Sequence, residues 1–145
     1  MSPKVVFLYK LPLFEGVPGF VLSDLPEWME EVSLSKGDSF LMKDELDHRL
    51  TVMVIDGHLV DMDDTGLSRQ TYFAYDVVSD ALNTGFSVVP HQLTAMSDAK
   101  VYTILSERLY EIMGDHYALT ERLMHNLQVQ GQLQMQTTEL DNTGL

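Results

Sequence analysis

Between Val32 and Leu105 the chain is cut into short apolar runs, too brief for helices and too regularly interrupted for a helical bundle. "VSLSKGDSFLM" alternates, turns at Lys36-Gly37-Asp38, and resumes through Phe40 and Met42. "RLTVMVI" is rich in β-branched residues; "HLVDM", "SRQTYFAYDVV", "FSVVP", "HQLTAMS" and "AKVYTIL" continue the series, and "SDALNTG" predicts one helical turn before Gly85. Short strands separated by Gly and Asp turns specify a β sandwich or barrel. The period changes on either side. Residues 4–16 predict one or two helical turns stopped by Pro12 and Gly16. Residues 19–31 set Leu22, Leu25, Trp28 and Met29 at helical spacing, with Ser23 as a cap, Pro26 in a first turn and Trp28 laid into a core. After Leu105, Ser106 is placed to cap "SERLYEIMG" and Gly114 to stop it. Asp115 then caps a last helix, "HYALTERLMHNLQVQGQLQMQ".

The stretch "VMVIDGHLVDMDDTG", residues 52–66, holds four carboxylates and could be read as a calcium loop. Asp61, Asp63, Thr65 and Gly66 match the first half of such a loop, but its last position, which needs a bidentate glutamate, falls on Tyr72. Two tight turns between strands explain the same residues, at Asp56-Gly57 and at Asp64-Thr65-Gly66, with a hairpin across the first.

Charge narrows the partners. The 145 residues carry 22 acidic and 9 basic side chains, a net charge of −13. That field repels polyphosphate surfaces, so direct nucleic-acid binding is not expected. No apolar run is long enough to enter a membrane, and no secretory leader pattern opens the chain. The absence of cysteine removes disulfide and thiolate chemistry and suits a cytoplasmic protein. His48, His58 and His91 are isolated, His116 and His125 face different sides of a helix, and no His-x-His, nucleophile elbow or Walker loop occurs. Neither an enzyme, a metal site nor a cofactor is expected. Asp44, Glu45 and Asp47 read as a solvated turn. Met42, Met53 and Met113 read as core filler, and Met124 and Met135 as exposed.

Helices, then a roll of short strands, then two helices is an order that resembles the cyclic-nucleotide-binding domain of the catabolite-activator type. The likeness is carried by "LPLFEGVP" before the first helices, "SLSKGDSFLMKDE" opening the roll, "LTVMVIDGHLVDM" as strand, turn glycine and strand, and "LTAMSDAKVYTILSERLYEIM" leading into the penultimate helix. It spans roughly residues 8–127. The resemblance implies an α+β chain: a double-stranded β-helix or jelly-roll-like β-roll, short N-terminal helices and two C-terminal helices. The expected domain runs over residues 1–136, with helices over about 4–31, the roll over about 32–105 and helices over about 106–136; residues 137–145 are expected to be a flexible tail.

The same resemblance locates a ligand cassette and finds it altered. The family holds the ribose with a Gly-Glu pair and the cyclic phosphate with an arginine roughly ten residues later, aided by backbone amides. In this chain the Gly-Glu pair falls on Val78-Ser79, the amide donors near Ala81 and Leu82, and the arginine on Val89, followed by Pro90. No arginine lies between Arg69 and Arg108. Losing the charge-assisted bonds costs on the order of 3–6 kcal/mol, about two to four decades of affinity. The expected function is a degenerate cyclic-nucleotide-binding-like regulatory or protein-interaction module. One alternative is a sensor for a cyclic nucleotide or another small ligand through the altered cassette. Another is the ligand-sensing part of a transcription regulator whose DNA-binding domain is absent. The expected partner is another protein or an attached domain. Leu119, Asn126, Leu133 and Leu140 recur at heptad spacing, so a homodimer through the last helix is a further reading, set beside packing of that helix onto the roll.

Overall fold

The computed structural model describes residues 2–62, 65–79, 90–117 and 119–126. The chain opens with helix α1 (Pro3–Lys10), whose start is fixed by Ser2: its hydroxyl accepts the Val5 N–H at 3.3 Å, and Pro3 occupies the first turn. A one-turn 3-10 helix (Pro12–Phe14), helix α2 (Gly19–Leu22) and a second 3-10 turn (Pro26–Trp28) follow. Pro26 breaks the helical spacing of residues 22–29. Leu22, Leu25 and Met29 are therefore buried, while Trp28 is turned outward at 43 % exposure with the Arg108 guanidinium 3.9 Å over its ring. The expectation that Trp28 enters the core is corrected by this break. Ser23 closes α2 rather than opening a helix, its hydroxyl donating to the Phe20 carbonyl at 2.8 Å.

Eight strands follow: β1 (Glu30–Leu34), β2 (Ser39–Leu41), β3 (Leu50–Asp56), β4 (Leu59–Met62), β5 (Ser68–Tyr72), β6 (Val77–Val78), β7 (Gln92–Ala95) and β8 (Ala99–Leu105). They form two four-stranded antiparallel sheets, ordered β1-β8-β3-β6 and β2-β7-β4-β5. The fold is the expected α+β roll. One turn differs from expectation. Asp56-Gly57 does not close a hairpin, because β3 and β4 lie in opposite sheets; Gly57, at φ +79°, carries the chain round the corner between them. The paired hairpin is β4–β5 instead, in register from Leu59–Tyr72 to Met62–Ser68.

β3 is buried on both faces, as a central strand between two layers must be. Val52 and Val54 point between the sheets, where they meet Leu59, Tyr72, Leu93 and Val101. Met53 and Ile55 point the other way, into a second core with Phe7, Leu8, Phe14 and Leu22 of the N-terminal cap. Helix α3 (Ser106–Asp115) and the helical residues 119–126 cover that second core, with Leu109, Leu119 and Leu123 buried in it. Leu105, not Ser106, caps α3, because β8 runs straight into the helix. The Asn126 side-chain amide donates to the carbonyls of Leu13 (2.7 Å) and Glu15 (3.1 Å). The first two seam positions, Leu119 and Asn126, are thus occupied within the chain; Leu133 and Leu140 lie outside the described residues. Met42 and Met53 are buried, Met113 is packed against the core, and Met124 is exposed, all as read from the sequence. The domain boundary at residue 136 and the tail also fall outside the described residues.

Candidate functional site

One end of the roll gathers the residues that the sequence nominates. Val52 of β3 pairs with Val78 at the end of β6, and Leu50 pairs with Leu105 at the end of β8. The Leu50 N–H donates to the Met42 carbonyl at 3.0 Å, and the Met42 N–H to the His91 carbonyl at 2.9 Å. Strands β2, β3, β6, β7 and β8 therefore all begin or end here. Of the six nominated residues, Val78, Ser79 and Pro90 are described; Ala81, Leu82 and Val89 lie outside the described residues.

The three described positions do different things. Val78 points between the sheets and is 1 % exposed, against Val52 and the rest of the inner core. Ser79, by the alternation of a strand, faces the helices. Its hydroxyl lies 2.6 Å from that of Thr51, which in turn lies 3.0 Å from that of Ser106. This buried hydroxyl chain fastens β6 and β3 to the first residue of α3. Ser106, expected as a helix cap because serine favours a helix start, instead engages Thr51 through its hydroxyl. Pro90 is buried two residues before β7.

The approach to β6 is a tight turn. The Phe73 N–H donates to the Asp76 carboxylate at 2.8 Å, the Asp76 N–H donates to the Phe73 carbonyl at 3.0 Å, and Tyr75 holds φ at +72°. Burial pushes the Asp76 carboxyl above its ordinary value of 3.8, against the opposing pull of the Phe73 N–H. A group raised in the folded state contributes full stability below its unfolded value and loses it as pH rises through the folded one. Asp76→Asn keeps an acceptor for Phe73 and removes the charge. It is expected to match or exceed the parent's Tm at pH 7, and to lose that margin as the pH is lowered toward 4. Asp76 is only partly buried, so solvent screening holds the effect below about 1 kcal/mol. Thermal melts at the two pH values check it.

Beside this end, between the edge strands β1 and β2, an open cleft of about 700 Å³ reaches the sheet interior. Its floor is apolar, made by Val32, Phe40, Leu50 and Val101, with Leu41 and Leu105 at the mouth. Glu27, Glu30, Asp44 and Glu45 stand around it against the single ammonium of Lys43, which is paired with Asp47 at 3.1 Å. Asp44 is held below the usual carboxylate range, first by the backbone N–H of His48 (2.8 Å), then by the His48 ring and the Leu46 N–H (2.9 Å). The loop is the solvated turn expected from the sequence, with Glu45 and Asp47 exposed, and its Asp44 and Glu45 also stand at the rim of a cleft that was not legible in the sequence. Arg49, exposed and bridged through its backbone to Lys43, stands at the same end with contacts of its own.

No protein-family model matches the chain, and no curated protein matches it by sequence. Solved structures do match by shape. The sensor domain of the transcriptional regulator DNR from Pseudomonas aeruginosa superposes with a TM-score of 0.66 at 16% identity, covering 86% of this chain and 91% of that one. A protein from Geobacter metallireducens assigned to cyclic-nucleotide binding gives 0.64 at 18% identity, covering 89% and 94%. The fold is that of cyclic-nucleotide-binding domains. The regulatory subunit of a cAMP-independent protein kinase A from Trypanosoma brucei carries it too, with a TM-score of 0.62 at 17% identity over 87% of this chain. This chain spans 46% of that subunit's length. Among the described residues, no helix is long and apolar enough to cross a membrane.

Proposed function

We propose that this chain is a regulatory or protein-interaction module that retains the cyclic-nucleotide-binding roll without its cationic grip on a cyclic phosphate. One observation carries the reading: no lysine or arginine occurs between Arg69 and Lys100, the whole span from β5 to β8 in which that grip would be supplied. The inner core supports it, since Val52, Val54, Val78 and Val101 line the space between the sheets with apolar side chains. The acidic rim supports it as well, because four carboxylates oppose any anion approaching from the cleft. The Trypanosoma brucei protein is named as the regulatory subunit of a cAMP-independent kinase, so a regulatory role on this roll without cAMP has a counterpart. A sensor of a different ligand is the second reading, favoured by the extent of the match to the DNR sensor domain. Residues 1–136 are proposed as the module and 137–145 as its tail.

Calorimetric titration with cyclic AMP and cyclic GMP is expected to show no saturable heat at micromolar concentrations. Micromolar binding would overturn the reading. If that binding vanished in Arg49→Ala, the phosphate would be held from the start of β3 rather than from the segment before β7.

A further inference from the structure

We propose that the cleft between β1 and β2 receives a basic peptide segment of a partner protein, one that places apolar side chains on its floor and lysine or arginine against its rim. The inference rests on the module being a protein-interaction domain, and adds the chemistry of the partner. The floor supplies the first argument. Leu41 is 60 % exposed and Leu105 36 % exposed at the mouth, so apolar surface continues from the cleft onto the outside of the roll. Continuous exposed apolar surface ringed by polar groups marks a docking site.

The rim chooses the sign. Glu27 and Glu30 come from one wall and Asp44 and Glu45 from the other, so charge surrounds the floor rather than lying to one side. Lys43 is engaged by Asp47, and Arg108, behind Trp28, by Glu111 at 2.6 Å. The lining of the cleft therefore carries four carboxylates against one lysine, with Arg49 standing outside it. The N–H groups of His48 and Leu46 both donate to the Asp44 carboxylate, which favours its charged form. A second copy of the chain would bring the same charge of −13, which opposes its approach to this acidic rim.

The edges choose a peptide over a small amine. Among the described residues β1 pairs only with β8 and β2 only with β7, so both walls of the cleft are sheet edges with backbone groups turned outward. An extended segment can hydrogen-bond to such an edge while its side chains enter the cleft. A small organic cation has no use for either edge, and in a cleft open along one side it would stay largely solvated.

Trp28, the single tryptophan, lines the cleft and reports its occupancy. The test titrates the full chain with a labelled, capped peptide carrying leucine and phenylalanine between pairs of lysines. Anisotropy reads binding and Trp28 emission reads its place. Saturable binding with a change in Trp28 emission is expected, weakening at least tenfold between low and 0.3 M salt. Glu30→Gln combined with Glu45→Gln is expected to weaken it at least tenfold, and Leu41→Ser at least fivefold. All three are exposed positions, so unchanged melting temperatures keep the comparison fair. The proposal is overturned by equal binding of a peptide with glutamates for lysines, by equal binding to the rim variants, by spermidine binding as tightly as the peptide, or by no binding at millimolar peptide. Cyclic AMP is run in parallel: its binding sinks the proposed function, whereas a silent peptide beside silent cyclic AMP sinks only this inference.

Discussion

Ser79→Glu is expected to destabilise the fold by about 3 kcal/mol or more, and to create no nucleotide site. The substitution restores the carboxylate that the family resemblance asks for at this position. Its outcome is decided by direction. Ser79 is 3 % exposed, follows the inward-pointing Val78, and turns its side chain toward the helices. A glutamate there arrives beside the hydroxyls of Thr51 and Ser106, where the serine oxygen now sits 2.6 Å from Thr51. Two hydroxyls cannot solvate a buried carboxylate, and the longer side chain presses α3 away from β3. The effect takes a large part of the roughly 5–15 kcal/mol that a domain of this kind has in total. Ser79→Ala, which loses one hydroxyl and adds no charge, is expected to cost about 1 kcal/mol. Denaturant unfolding of the two variants separates the effects. A Ser79→Glu protein of parental stability that bound cyclic AMP would show the side chain reaching the ligand side, contrary to this geometry.

That position shows where sequence reading stops. The described strands, the N- and C-terminal helices and the overall roll were legible because hydrophobic period and turn residues are local signals, while the expected turn "SDALNTG" and strand "FSVVP" fall almost wholly outside the described residues. Which sheet a strand joins is not local. Asp56-Gly57 has the composition of a hairpin turn, and nothing within ten residues says that β3 and β4 part to opposite sheets. Trp28 sits at the correct spacing for a buried helical face, but Pro26 resets the helix and sends the ring outward. The candidate cassette was located by counting, which fixes residue numbers but not the direction in which Val78 and Ser79 point. The cleft was invisible for another reason. Glu27, Glu30, Asp44 and Glu45 each look like an ordinary solvated acid in sequence. Only the pairing of β1 with β8, and of β2 with β7, draws them around one apolar floor.

Gly57→Ala is expected to cost about 2–4 kcal/mol, against about 1–2 kcal/mol for Gly66→Ala. Both glycines are left-handed, at φ +79° and +84°, so the backbone strain of an added side chain is shared. They differ in what a methyl group meets. At Gly66 nothing stands within 4 Å, whereas at Gly57 the new carbon lies 2.8 Å from the Ala99 Cβ and 2.9 Å from its Cα, and presses on the Asp98 carbonyl. The contact is with backbone and cannot be relieved by turning a side chain. The corner at Gly57 must therefore move, and it is tied to its surroundings: the His58 N–H donates to the Ser97 hydroxyl at 3.2 Å, and the Met96 N–H to the His58 carbonyl at 3.0 Å. Displacing residues 96–99 shifts the start of β8, and β8 supplies Val101, Thr103 and Leu105 to the cleft at its far end. Gly57→Ala is accordingly expected to weaken peptide binding at the cleft as well as stability, while Gly66→Ala leaves binding unchanged. Parallel denaturation and Trp28 titrations of the two variants test both halves. Equal stability losses would mean that the close approach of the Gly57 corner to Ala99 is not what holds the two sheets in place.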